Sequence, residues 1–290
     1  MDLLRFTIFA LAVLFVLWFS GGGPESGRVD DPFIEPPPPL GTGETYSIKK
    51  TGEKTTDTPP VNVAIESTFK NEVSFYGKGA ARLTDPTREY IEIRAPRGNT
   101  QPVQITGWTV KSAVTGKSAT IGKGVYLPVL GKVNPEQPIS LSPGGKAYVV
   151  TGGSPKGYSF RLNTCTGYFE EFQDFAPKLP LECPYPKNEN IPTGPNGATD
   201  ACLDYLGGLK RCSAHTARLP PSFANDPLCQ EFVAERIHYN GCVDTHKNEA
   251  DFYSTEWRVF VGRSEELWKE SRETILLLDE KGKTVDSVSY

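Results

Sequence analysis

The sequence predicts a mostly β protein, an antiparallel sandwich or barrel, with a disulfide-rich, partly helical insertion and a preceding N-terminal transmembrane helix. Three observations support this prediction. Short alternating segments separated by turn signals recur over residues 61–163 and again over 256–290. All six cysteines of the 290-residue chain fall between Cys165 and Cys242. Near the N-terminus, residues 6–19 form an apolar run without charge.

The apolar run favours an uncleaved signal-anchor over residues 1–20. A spanning helix needs roughly 17–25 apolar residues, and Leu3 and Leu4 extend the run towards that length. A cleavable signal peptide is the alternative, but Trp18 stands where its cleavage site needs a small residue. A buried core helix is the third interpretation.

Charges on either side of this run orient the chain. Arg5 and the N-terminal amine precede it, whereas Glu25, Asp30 and Asp31 follow it against a single Arg28. The positive-inside rule then places the N-terminus in the cytoplasm and the bulk of the chain outside. We therefore expect a single-pass protein of the cell membrane. The clustered cysteines agree, because disulfides persist mainly outside the cytosol.

Residues 21–60 have the composition of a disordered linker. Three glycines at 21–23 supply flexibility, and four prolines at 36–39 supply an extended, semi-rigid spacer. A proline-rich ligand for an aromatic groove is the alternative interpretation.

After the linker the hydrophobic period changes to two. Residues 90–94 alternate cleanly, which places Tyr90 and Glu92 on one face of a strand and Ile91 and Ile93 on the other. Further strands are expected at residues 62–66, 72–76, 103–105, 107–110, 122–129, 138–141, 146–150, 257–261, 275–278 and 285–290.

Four segments within this β pattern resemble a known family. They are residues 82–93, the step at 105–108 with its core tryptophan, the turn at 141–145 and the hairpin at 277–287. In this order they resemble the lamin-tail domain. The resemblance covers roughly residues 61–163 and 256–290.

The resemblance implies an immunoglobulin-like antiparallel β-sandwich, and bacterial members of the family are often exported or envelope proteins. It implies binding and scaffolding, with no catalytic residues and no cofactor. An ordinary lamin tail lacks the cysteine-rich insertion at residues 164–255, so the nuclear and DNA partners of eukaryotic members are not carried over. A net charge of −4 likewise gives no basic footprint for nucleic acid.

The insertion contains the candidate disulfide residues. An even number of cysteines at irregular spacing favours disulfides over reactive thiols, since no C-x-x-C pair occurs. Zinc is the functional alternative, because His215 follows one cysteine by three residues and His246 follows another by four. Six cysteines allow 15 pairings. Pairing of sequence neighbours is the expectation: Cys165 with Cys183, Cys202 with Cys212, and Cys229 with Cys242.

Helical signals also appear in the insertion. Asp226 followed by Pro227 marks a helix start, and the helix is expected to end near residues 239–241. Residues 199–206 predict a second short helix, closed by two glycines.

Catalytic motifs are absent from the sequence. It contains neither a G-x-S-x-G nucleophile elbow nor an H-E-x-x-H zinc helix. His215, His238 and His246 are expected to be surface or hydrogen-bonded residues. We expect no enzyme activity, no metal and no cofactor.

One aromatic segment is the candidate partner-binding site. Tyr168, Phe169, Phe172 and Phe175 place four rings among three acidic residues just after the first cysteine. The rings either pack the insertion onto the sandwich or form an exposed patch that binds a partner or a glycan.

The sequence therefore predicts a membrane-anchored, extracytoplasmic binding or scaffolding protein. Its partner is expected to be another envelope protein or a surface polymer. Two alternatives stay open: an envelope hydrolase or metal-dependent enzyme with its site where insertion and sandwich meet, and an accessory subunit of a membrane complex.

Overall fold

The computed structural model describes Val13, Val16 and residues 66–194, 197–214 and 226–290. The chain divides into two units, Met1–Pro59 and Pro60–Tyr290. The predicted signal-anchor, the linker, most of the strand at 62–66 and His215 lie outside the described residues. Within the described residues, no helix is both long and apolar enough to cross a membrane.

The second unit is mostly sheet, as the alternating segments predict. Its described residues form thirteen strands: β1 (Ser74–Phe75), β2 (Tyr90–Arg94), β3 (Val103–Gln104), β4 (Thr109–Ser112), β5 (Ser118–Thr120), β6 (Gly124–Val125), β7 (Glu136–Gln137), β8 (Ser140–Leu141), β9 (Lys146–Val150), β10 (Ser159–Asn163), β11 (Tyr253–Phe260), β12 (Thr274–Leu278) and β13 (Thr284–Ser289).

Three sheets arise from these strands. The largest has the order β1-β2-β9-β11-β10-β6-β7, the second β13-β12-β4-β5, and β3 pairs with β8. Most neighbours are antiparallel, but β9 runs parallel to β11 and β6 runs parallel to β10. The predicted strand at residues 122–129 is much shorter in the structure, because only Gly124–Val125 pair with neighbours.

The two larger sheets share one hydrophobic core. The alternation predicted for β2 is confirmed there, since Ile91 and Ile93 are fully buried. Trp108 is also buried in this core, as expected from the sequence, and its ring lies 5.3 Å from that of Phe69. Buried members from both sheets are Ala147, Val149, Trp257, Val259, Val110, Ile275, Leu277 and Val285.

The turn at residues 142–145 closes the connection between β8 and β9. Gly144 adopts a φ of +77°, a conformation that side chains with a Cβ rarely take. Its N–H donates to the carbonyl of Ala95, next to β2. The second predicted turn, at 279–282, joins β12 to β13 as expected, with Asp279 accepting from the N–H groups of Lys281 and Lys283.

The insertion leaves the large sheet between two adjacent strands. Antiparallel β10 and β11 pair Asn163 with Tyr253, and the N–H of Thr164 donates to the carbonyl of Phe252. Strand pairing thus resumes three residues before the expected boundary at residue 256. The first and last residues of the insertion are therefore adjacent in the sheet.

Three helices are described in the insertion: α1 (Asp200–Gly208), α2 (Pro227–Arg236) and α3 (Tyr239–His246). The first two confirm the predicted helices. The predicted end of α2 near residues 239–241 is wrong, because α2 ends at Arg236 and α3 starts anew. His238 caps α3, since its Nδ1 accepts a hydrogen bond from the N–H of Gly241 at 3.3 Å.

Candidate functional site at the junction of insertion and sheet

Three disulfides hold the insertion together: Cys165–Cys242, Cys183–Cys212 and Cys202–Cys229. Disulfide bonding was expected, but the neighbour pairing is wrong. With every cysteine bonded, no thiolate is left for the zinc or redox-thiol alternatives.

Helix capping explains the pairing of Cys202 with Cys229. Thr199 caps α1 by accepting from the N–H of Cys202, and Asp226 caps α2 by accepting from the N–H of Cys229. The Thr199 hydroxyl donates to Asp226 at 2.7 Å, which brings the two helix starts together. Cys202, Asp226 and Cys229 therefore cluster like metal ligands, although the two sulfurs are bonded to each other.

Close packing accompanies the other two disulfides. They lie in a second hydrophobic cluster on the face of the large sheet opposite the shared core. Gly167 is required here, because a Cβ at this position would lie 2.4 Å from the sulfur of Cys212. The cluster covers Val125, Phe160 and Leu162, which project from β6 and β10.

Three of the four candidate partner-binding residues are buried in this second cluster. Tyr168, Phe169 and Phe175 are at most 6% exposed, so they do not form part of an exposed patch. Phe169 and Phe175 both meet the ring of Phe160 on β10 edge to face, at centroid distances of 5.6 and 5.9 Å. Phe172 differs, because 64% of it is exposed.

A cleft opens where the insertion meets the sheet. Its volume is about 610 Å³. One wall comes from the sandwich and the other from the insertion: Ala80, Leu83, Asp85, Thr87, Arg88 and Tyr90 face Asp174, Phe175, Ala176, Pro177 and Lys178. The lining combines apolar side chains, such as Leu83 and Pro177, with one anionic and one cationic side chain on each wall. The cleft therefore suits a ligand with an apolar body and charges of both signs.

The sandwich wall of the cleft is preorganised by a turn. Asp85 accepts hydrogen bonds from both the N–H and the hydroxyl of Thr87. These bonds lower the pKa of the Asp85 carboxyl, which keeps it anionic. Burial raises the pKa of Tyr90, so its phenol stays neutral.

A buried charge network supports the insertion wall. Arg258 on β11 is 1% exposed and donates to the carbonyl of Lys178 at 3.2 Å. The guanidinium of Arg258 pairs with Glu256 and lies 4.4 Å from the ring centroid of Tyr148. Glu256 also accepts a hydrogen bond from Lys146 Nζ at 2.8 Å. Burial lowers the pKa of Arg258, and the contact with Glu256 opposes this effect. The network thus ties residue 178 to the sheet.

The sequence did not single out this cleft by its residues. Asp85 and Arg88 belong to the segment that resembles a lamin tail, whereas Asp174 and Lys178 follow the aromatic segment. The alternative hypothesis of an enzyme site where the insertion meets the sandwich concerns the same region of the fold. A second groove, of about 590 Å³, lies on the sandwich beside Phe69 and is lined mainly by polar side chains.

The described histidines are hydrogen-bonded, as expected. His238 caps α3, and His246 lies between two glutamates.

Comparison with known proteins adds no relative: no protein-family model, no curated protein and no solved structure matches the chain. The resemblance to the lamin tail therefore rests on the sequence segments alone. In the structure these segments form β2 with its preceding loop, the approach to β4, the turn before β9 and the β12–β13 hairpin.

Proposed function

We propose that this protein is a membrane-anchored, extracytoplasmic binding or scaffolding protein. Residues 1–20 anchor it with the N-terminus in the cytoplasm, and residues 21–60 act as a tether. Residues 61–163 and 256–290 form an immunoglobulin-like sandwich of the lamin-tail type. The three disulfides support a location outside the cytosol, since disulfides are stable mainly in oxidising compartments.

Two larger sheets that share one core support the sandwich assignment. The part of the insertion next to the large sheet adds a second layer on the outer face of that sheet, since its rings and two of the disulfides pack there. A partner would therefore meet a fixed surface, which lowers the entropy cost of binding.

The observation that carries the proposal is the junction cleft. Its walls combine Asp85 and Arg88 with Asp174 and Lys178, and its apolar lining includes Leu83. Polypeptides supply apolar side chains and charges of both signs, so a segment of another envelope protein fits this lining better than a neutral polymer. The partner in this proposal is such a protein segment.

Site-specific cross-linking in the native membrane tests the proposal. A photo-cross-linking amino acid replaces Leu83, which is 43% exposed in the cleft, or Val133, which is fully exposed outside it. We expect one discrete protein adduct from position 83 and none from position 133. Equal labelling at both positions would contradict a binding cleft.

Charge reversal inside the cleft tests the same proposal, and charge reversal outside the cleft is the matched control. Arg88→Glu and Lys178→Glu should reduce the adduct about tenfold or more, because like charges would then face the partner. Lys132→Glu changes the net charge equally at an exposed position outside the cleft and should leave the yield unchanged. If all three variants behave alike, recognition does not depend on the cleft.

A further inference from the structure

His246 lies between two carboxylates at the end of α3. Its Nε2 is 2.9 Å from an oxygen of Glu189, and its Nδ1 is 2.8 Å from an oxygen of Glu249. The His246 side chain is 13% exposed and that of Glu189 is 8% exposed, whereas Glu249 is more than half exposed. The contact with Glu189 is therefore largely shielded from water.

This geometry suits a charged ring. A neutral imidazole carries one N–H, so it can donate to only one of the two glutamates. Its other nitrogen would then place a lone pair against a carboxylate oxygen. Only the imidazolium donates to both Glu189 and Glu249 at these distances.

The contact joins two parts of the insertion. The part nearest the sheet, here called the sheet-bound lobe, is the cluster that contains Tyr239, Cys242 and Val243 of α3. The other part, here called the distal lobe, contains α1 and α2 and has a small core of its own: Ile191, Ala198, Cys202, Leu206, Cys229, Val233 and Ile237.

Glu189 belongs to the distal side of this boundary. It ends a short 3₁₀ helix, Pro186–Asn188, and its carbonyl accepts from the N–H of Ile191 in the distal core at 2.9 Å. His246 belongs to α3 in the sheet-bound lobe. The ion pair thus bridges elements that pack into different clusters.

The neighbouring charges have partners of their own. Arg236 of α2 donates to the hydroxyl of Thr245 on α3 at 2.7 Å, which is a second contact across this boundary. On α3, Asp244 and Lys247 pair with each other at 3.0 Å. On the 3₁₀ segment, the cation of Lys187 lies over the ring of Tyr185.

The first 3₁₀ helix of the insertion, Thr166–Glu171, also packs against α3 and faces Glu189. Burial, followed by the charges of Glu189 and Glu171, raises the pKa of Tyr168 to about 12, so this phenol is neutral near pH 7. It does not neutralise Glu189.

We propose that His246 is a pH-sensitive latch, which holds the distal lobe on α3 while the ring is protonated and releases it when the proton is lost. Burial alone lowers the pKa of His246, but the hydrogen bonds to Glu189 and Glu249 outweigh burial and raise it above the usual 6.5. The latch is therefore complete below pH 6.5 and is lost as pH rises through the raised pKa.

Hydrogen exchange of the full chain tests the latch. The reporters are the amides of Ile191 and Ala198, whose N–H groups are bonded within the distal lobe. Protection factors, which remove the intrinsic pH dependence of exchange, are compared between about pH 5.5 and about pH 8.5, on either side of the usual histidine range. Protection should fall about tenfold for each unit by which the pKa of His246 is raised.

Three variants separate the latch from general unfolding. His246→Gln cannot become charged and should show low, pH-independent protection. Glu189→Gln should lower the pKa of His246, read directly from its ring proton resonance. His238→Asn keeps an acceptor at the α3 cap and should retain the wild-type pH dependence. Constant protection in the wild type, or an undiminished pH dependence in His246→Gln, would overturn the proposal.

Discussion

Removal of the disulfide at the base of the insertion should destabilise the whole sandwich. Cys165 lies two residues after the end of β10 and Cys242 lies in α3, so this bond closes the base of the insertion between β10 and β11. The perturbation is the double variant Cys165→Ala with Cys242→Ala, which leaves no unpaired thiol.

The expected loss follows from chain entropy. The bonded cysteines are 77 residues apart, but the Cys183–Cys212 and Cys202–Cys229 bonds both lie inside that loop and shorten its effective length to about 45 residues. Closing such a loop restricts the unfolded chain by about 4 kcal/mol. We therefore expect the free energy of unfolding to fall by about this amount.

A second double variant, Cys202→Ala with Cys229→Ala, is the matched comparison. Its bond spans 27 residues, for which the same entropy model gives about 3.5 kcal/mol. This bond lies within the distal lobe, whose small core is separate from the sheet. The loss should therefore appear as local opening of α1 and α2, not as earlier unfolding of the sandwich.

Tryptophan fluorescence distinguishes these outcomes during denaturation. Trp108, Trp257 and Trp268 all belong to the sandwich core, and residues 164–255 contain no tryptophan. The fluorescence transition should shift in the first double variant and stay within about 0.5 kcal/mol of wild type in the second. Equal shifts in both variants would refute the assignment of the two bonds to separate lobes.

Two further substitutions test the packing and the buried polar groups. Phe175→Ala should lower the free energy of unfolding by about 3–5 kcal/mol because the ring is buried, whereas Phe172→Ala should change it by no more than about 0.5 kcal/mol. Equal melting temperatures of the two variants would contradict the difference in burial. Glu89→Gln tests the buried carboxyl whose oxygens accept from the N–H groups of Leu267 and Trp268. Burial raises the pKa of Glu89, so its contribution to the free energy of unfolding falls as pH rises through that pKa. Urea titrations at several pH values measure this pH dependence, which should vanish in the Glu89→Gln variant.

The β2 strand and the two turns could be read from the sequence because local patterns determine them. Alternation at residues 90–94 placed Ile91 and Ile93 in the core, and the glycine at 144 supplied the turn. The parallel pairing of β9 with β11 could not be predicted, because these strands are about a hundred residues apart and no local signal selects the partner.

Cysteine pairing and α3 show a different limit. The neighbour pairing followed the order of the cysteines along the chain alone, whereas the Cys202–Cys229 bond depends on the capped starts of two helices. The start of α3 was missed because histidine is not among the preferred N-cap residues.

The candidate site was predictable only as a location. The aromatic segment correctly marked where the insertion packs, but its spacing did not separate buried Phe169 and Phe175 from exposed Phe172. The cleft itself depends on tertiary packing, since residues 80–90 and 174–178 meet only after the insertion folds back onto the sheet.

The paired ends of the insertion affect how this protein can change over evolutionary time. Because Asn163 and Tyr253 are opposite each other in the ladder, residues gained or lost between them leave the register of β10 and β11 intact. Each doubling of the length of a flexible loop adds only about 0.6 kcal/mol to the entropic cost of closing it. The lobe on the sheet is constrained by the rings that it covers, whereas the distal lobe, with its own core and disulfide, is free to diversify.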